Sequence, residues 1–169
     1  MTVYRLTARA FCIFLMLLSV DVSSAQERRA LLVGIGEYPA ESEWTLVHGD
    51  NDVRIILEFL LGQGVKAECI EIVTNEEATK KGILSALERL AKTAGKGDVL
   101  YIHFSGHGQQ VTDLDGDEED GFDEAWVPYD ARKKYVSRVY EGENHIIDDE
   151  LNAYLKKLRA KVGPKGRIT

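Results

Sequence analysis

The sequence predicts an α/β fold, a three-layer sandwich whose mainly parallel central sheet is flanked by helices. Three observations carry this expectation. Apolar runs at Arg29–Ile35, Val65–Val73 and Val99–Phe104 read as strands. Segments of helical periodicity separate them, giving the order β-α-β-α-β, and strands that alternate with helices pair in parallel. The third run is apolar or aromatic throughout, as a strand covered on both faces has to be. A chain of 169 residues, 44% apolar and 29% charged, suits one soluble globular domain.

The first 25 residues read as a targeting segment outside that domain. Arg5 and Arg9 form a basic start, Ala10–Val20 is an apolar stretch, and Val22-Ser23-Ser24-Ala25 places small residues at a cleavage site. Residues 1–25 are therefore expected to be a cleavable signal peptide, with the domain spanning 26–169 and the protein exported to a periplasm or out of the cell. The apolar stretch is short for a membrane span, so no membrane association is expected after its removal. Cys12 leaves with it. Cys69 then remains as a single cysteine, and no intramolecular disulfide can form. The net charge of −7 argues against a nucleic-acid partner and favours cationic substrates or bound cations.

Taken in order, the first strand, Arg29–Ile35, ends at Gly36, and Glu37–His48 is a loop. Asp50 or Asn51 is expected to cap a helix with Val53, Ile56, Leu57, Leu60 and Leu61 on its packed face, closed by Gly62 or Gly64. After the second strand, Thr74 or Asn75 is expected to cap a helix packed through Ile83, Leu84, Leu87, Leu90 and Ala91. The third strand is followed by an acidic loop, Asp113–Glu124, with eight carboxylates and no basic residue. Glu124–Tyr129 reads as a short strand or an extended crossing, and Arg132–Asn144 as irregular. Asp148-Asp149-Glu150 starts a helix through Leu158 with Leu151, Tyr154, Leu155 and Leu158 on its core face. Arg167-Ile168-Thr169 reads as the start of a further strand, so the domain is expected to be incomplete at its carboxyl end.

The chemistry concentrates after the third strand, in Ser105-Gly106-His107-Gly108. In open α/β sheets functional groups gather beyond the carboxyl ends of strands. A histidine between two glycines there can act as a general base that other groups approach closely. The competing reading is a histidine that merely caps a turn. His103, inside the strand, reads as a satisfied core or edge residue.

Several motifs occur together and in order. Ser-Gly-His-Gly follows an apolar strand. Asp-Gly-Asp-Glu-Glu-Asp-Gly-Phe-Asp-Glu and Ile-Ile-Asp-Asp-Glu-Leu come after it, while Ala-Leu-Leu-Val-Gly-Ile and Leu46-Val-His-Gly-Asp-Asn-Asp-Val53 precede it. This set resembles the caspase-like cysteine peptidases of the metacaspase type over Arg29 to Thr169. The resemblance implies a caspase-like fold and hydrolysis of peptide bonds after Arg or Lys by a Cys-His dyad. It implies His107 as the catalytic histidine, Asp52 as a carboxylate of the basic-residue pocket, and Gly108 as a partner in holding the oxyanion. It further implies an activating Ca²⁺ bound by Asp123, Asp148 and Asp149, which otherwise read as a solvated acidic loop and a helix start. Asp50 reads as an ordinary carboxylate at a helix start. Protein or peptide substrates with basic residues are the implied partners.

One departure matters. The family's cysteine follows a fourth strand, and the sequence given stops at Thr169. Cys69, expected in mid-strand and buried, reads as core packing and not as a nucleophile. The family's activity is therefore expected of a chain that includes the cysteine segment and not of these 169 residues alone. A pseudo-peptidase acting as a calcium-responsive interaction module is the alternative. An EF-hand over Asp113–Glu124 fails because Glu118 stands where glycine is needed. A phosphate cradle at Gly34-Ile-Gly36 fails because Glu37-Tyr38-Pro39 follows instead of a helix start. Arg132–Arg138 is a basic loop where self-cleavage could occur, though such loops are common.

Overall fold

A computed structural model describes residues 26–113, 116 and 118–169. The signal-peptide expectation falls on residues 1–25, outside the described residues. Strands β1 (Arg28–Gly34), β2 (Ile70–Thr74), β3 (Val99–Ser105) and β7 (Arg167–Ile168) form a parallel sheet in the order β2-β1-β3-β7. The pairing is in register: Gly34 faces Thr74 on one side and Ser105 on the other. Helix α1 (Gly49–Gly62) covers one face, and α2 (Lys80–Thr93) and α3 (Asp148–Val162) cover the other. This is the expected three-layer α/β sandwich.

The central strand shows why the layers form. Side chains alternate across a strand, and β1 is apolar on both faces. Leu31 and Val33 pack with Ile83, Leu87 and Leu158 from α2 and α3. Ala30 and Leu32 pack with Val53 and Leu60 from α1. All four strand residues are at most 1% exposed. Burying a leucine side chain contributes about 1.5–3 kcal/mol, so each face of β1 holds its own helix layer.

Several boundaries differ from expectation. Helix α1 begins at Gly49 behind His48, which takes a left-handed φ of 59° and makes no side-chain cap. Asp50 and Asn51 therefore lie in the first turn, and Leu61 is exposed. Thr79, not Thr74 or Asn75, caps α2, its Oγ1 accepting from Gly82 N at 3.0 Å. Asn75 instead holds the loop after β1, its Oδ1 accepting from Gly36 N at 2.8 Å. β2 is shorter than expected because a 3-10 turn, Ala67–Cys69, precedes it. β3 is fully buried only at Leu100. On its far side β7 pairs only with Val99 and Leu100, so the later side chains are half-covered. Leu155, expected on the packed face of α3, is exposed, while Val162 is buried there.

A second sheet was not foreseen. β4 (Gly108–Thr112), β5 (Phe122–Trp126) and β6 (Ile146–Ile147) form an antiparallel sheet in that order. β4 and β5 are antiparallel partners, and the expected acidic loop follows β4, with its last residues, Phe122–Glu124, lying in β5. Phe104 of β3 stacks on Trp126 of β5, ring centroids 4.4 Å apart, which docks the hairpin beside the end of β3.

Candidate active site at the carboxyl ends of β1 and β3

Two glycines draw the site together. A Cβ on Gly34 would stand 2.4 Å from Val53 and 2.5 Å from the Gly49 carbonyl oxygen. A Cβ on Gly49 would stand 2.2 Å from the Ser105 carbonyl oxygen. Without side chains, β1, the start of α1 and the end of β3 meet backbone to backbone. Ile35 N donates to Ser105 O at 2.9 Å, and Gly49 N donates to Ile35 O at 3.2 Å. The first turn of α1 is thereby set beside Ser105. Asp52 is exposed there, and its Oδ2 accepts a hydrogen bond from Ser105 Oγ at 2.5 Å.

His107 follows β3 and is held at both backbone and ring. Its N–H donates to the Tyr38 hydroxyl at 3.0 Å, that hydroxyl donates to Val127 O at 2.9 Å, and Val127 N donates back to His107 O at 3.0 Å. This closed circuit ties the histidine to the end of β5. Burial pushes the Tyr38 phenol up to about 12, so it remains a neutral donor and acceptor. Gly106 makes room for it, since a Cβ there would lie 2.9 Å from the Tyr38 hydroxyl and 3.0 Å from Phe104. Gly108 is open, with the nearest atom 3.6 Å from a Cβ position. Neither glycine has a positive φ, so close approach and not a left-handed turn is what Gly106 supplies.

The imidazole Nε2 lies 2.9 Å from the Thr45 carbonyl oxygen and 3.3 Å from Thr45 Oγ1. A carbonyl only accepts, so Nε2 carries the proton and Nδ1 is the basic nitrogen of the neutral ring. Trp44 stacks on the ring at 4.8 Å with a 28° tilt, and Tyr38 stands at 5.3 Å. The arrangement can take a proton at Nδ1 and return it.

The expected metal residues are brought together only in part. Asp123 is buried, Asp148 is half-buried with Oδ1 lacking a hydrogen-bond partner, and Asp149 is exposed. Nearby Glu118 is exposed, yet its carboxyl is pushed up by local desolvation and then by the charges of Asp148, Glu124, Asp120 and Asp123. Among the described residues no three His, Cys, Asp or Glu side chains are close enough to hold an ion together. The oxygen donors and the orphaned Asp148 Oδ1 fit a hard cation in kind, though not as a closed cage.

Cys69 lies just before β2, at the opposite end of the sheet from His107. It is half-buried and not in mid-strand. Its Sγ donates to Glu27 Oε2 at 3.1 Å, and burial followed by Glu27 pushes the thiol up, which makes it a poor nucleophile. His103 was expected to be satisfied, but its buried Nε2 has no hydrogen-bond partner. His145 escaped sequence reasoning. It is 5% exposed, with Nδ1 3.0 Å from the Tyr140 hydroxyl and Nε2 2.9 Å from Gln109 Oε1. Burial pushes its imidazole down, and it braces β4 from behind. No pattern in its loop marked it.

A family model described as "Metacaspase, peptidase C14 domain" matches residues 28–163. The chain is 37% identical over 149 residues to Metacaspase-1 of Eremothecium gossypii, covering 84% of this chain and 30% of that protein. It is 38% identical over 135 residues to Metacaspase-1B of Aspergillus oryzae, covering 76% and 30% respectively. The crystal structure of a protein from Geobacter sulfurreducens superposes with a TM-score of 0.63 at 27% identity. That match covers 84% of this chain and 48% of the other. The chain thus spans about 30% of the length of these curated relatives.

Proposed function

Because the chain belongs to the metacaspase family of peptidase C14, we propose that it carries the acid–base half of a cysteine endopeptidase that cuts after Arg or Lys. The family is one of cysteine peptidases, and its substrates are proteins. The observation that most supports the finer reading is His107, with Nε2–H donated to the Thr45 carbonyl and Nδ1 left as the base. In this reading Nδ1 takes the proton of a thiol as sulfur bonds to the scissile carbonyl carbon. It gives that proton to the amine as the C–N bond breaks, and water then hydrolyses the thioester. The exposed backbone of Gly108 beside the ring would help hold the oxyanion. Asp52, oriented by Ser105, would pair with the substrate's guanidinium or ammonium.

Neither cysteine of this sequence supplies the thiol in this reading. Cys69 is at the wrong end of the sheet, and Cys12 lies in the leader, which we take to be a removed export signal. Calcium is part of the same proposal: Asp123 and Asp148 would hold it, with Asp149 contributing only if its side chain turns inward. When bound, the ion would neutralise the carboxylates that raise Glu118 and so draw the β4–β5 hairpin against the start of α3.

The test reads the coding sequence beyond Thr169 for a cysteine on a glycine turn. Hydrolysis of Arg- and Lys-ended fluorogenic peptides is then assayed with the protein that carries it. His107→Ala is expected to abolish cleavage, and Asp52→Ala to raise KM for basic substrates. Turnover retained by His107→Ala would overturn the proposal.

A further inference from the structure

We propose that Trp44 is a positioning residue for His107, holding the imidazole so that Nε2–H stays on the Thr45 carbonyl and Nδ1 stays basic. This rests on the reading of His107 as the acid–base group. The terminal torsion of a histidine has two broad wells, and a half-turn would exchange Nε2 with a carbon and remove the bond to Thr45. One net hydrogen bond restrains that turn only weakly. Trp44 adds two restraints. Its indole lies against the ring face at 4.8 Å, and Trp44 immediately precedes Thr45, so fixing the indole also fixes the accepting carbonyl.

The indole is itself anchored on several sides. Its Nε1–H donates to Ala131 O at 3.1 Å, and its backbone N–H donates to Ser42 Oγ at 3.3 Å. Ser42 is 3% exposed, and its carbonyl accepts from Lys133 N at 2.9 Å. The Lys133 ammonium stands 5.6 Å from the centre of the Trp44 ring, a cation–π arrangement. The segment 131–133 therefore grips the tryptophan, and the tryptophan grips the histidine.

The experiment is imidazole ¹⁵N NMR on the ¹⁵N-histidine-labelled chain, which reads the His107 tautomer without any peptidase assay. The unmodified chain is expected to show the Nε2–H tautomer alone for the neutral ring. Trp44→Ala, with its fold verified by far-UV circular dichroism, is expected to show a tautomer mixture. Trp44→Phe keeps a stacking ring without the Ala131 bond and is expected to fall between, which keeps the test open if Trp44→Ala does not fold. In the thiol-bearing protein, Trp44→Ala should lower kcat by up to about 100-fold with KM nearly unchanged. An unaltered Nε2–H signature in a folded Trp44 variant overturns the proposal. A Trp44-dependent tautomer in a protein without peptidase activity rejects the enzymatic reading and leaves the positioning intact.

Discussion

The two glycines around His107 differ, and the difference can be measured. Gly106→Ala would push a methyl into the Tyr38 hydroxyl and Phe104, and such overpacking costs about 1–3 kcal/mol. Gly108→Ala meets only an ordinary contact and should be close to neutral. Urea unfolding of the two variants checks this, and equal losses would contradict it. His145 gives a prediction of opposite kind. Burial lowers its folded pKa, so the unfolded chain binds the proton more readily. Its contribution is fully present above the ordinary histidine range and is lost as pH falls through that range towards the lowered value. The urea midpoint should therefore fall more steeply with acidification in the unmodified chain than in His145→Asn. Identical pH slopes would remove His145 from the account. The sequence made His107 legible because a glycine-flanked histidine after an apolar run is unusual. It hid Tyr38, Trp44 and His145, whose roles arise from loops that meet only in three dimensions.

Elements were legible where the apolar period was strong and hidden where a polar residue faced inwards. β4 alternates, with Gln109 and Val111 half-buried between exposed Gly108, Gln110 and Thr112, but a glutamine on the inner face conceals the pattern. The starts of α1 and α2 were misplaced because capping residues abound there. Asp50 and Asn51 looked like caps, while the backbone of His48 opens the helix unaided. At α2 the cap is Thr79, and Thr79→Ala should cost about 1 kcal/mol, read as a lower urea midpoint. No change would mean that Asp130, whose Oδ1 accepts from Lys80 N, suffices alone. α3 begins on three acidic residues and gains from the helix dipole. If it also holds calcium, adding the ion should raise the melting temperature. Asp148→Asn should remove that rise, while exposed Asp149→Asn should keep most of it. A melting temperature indifferent to calcium would discard the metal.

At the scale of the molecule, the parallel sheet separates two ends with different duties. The carboxyl end gathers His107, Asp52 and the aromatic loop. The amino end is sealed by buried Asp98, which accepts from Glu27 N at 3.0 Å, Arg29 Nε at 3.1 Å and Gly95 N at 2.9 Å. Cys69 belongs to that sealed end. The 169-residue chain should therefore release no fluorophore from Arg- or Lys-ended peptides, with or without calcium, and clear turnover would mean a nucleophile other than the one proposed. The fold class was legible because β1 is apolar on both faces and helices alternate with strands.

The circuit through Tyr38 gives this end of the molecule a built-in gauge. The amide of His107 donates to a phenol from the loop between β1 and α1, not to a neighbouring strand. Its hydrogen exchange therefore reports how often that loop lifts away, at the one amide next to the proposed base. Slow exchange at His107 that becomes fast in Tyr38→Phe would show that the phenol is what protects this amide. The same amide would then time any motion that admits a peptide to the site.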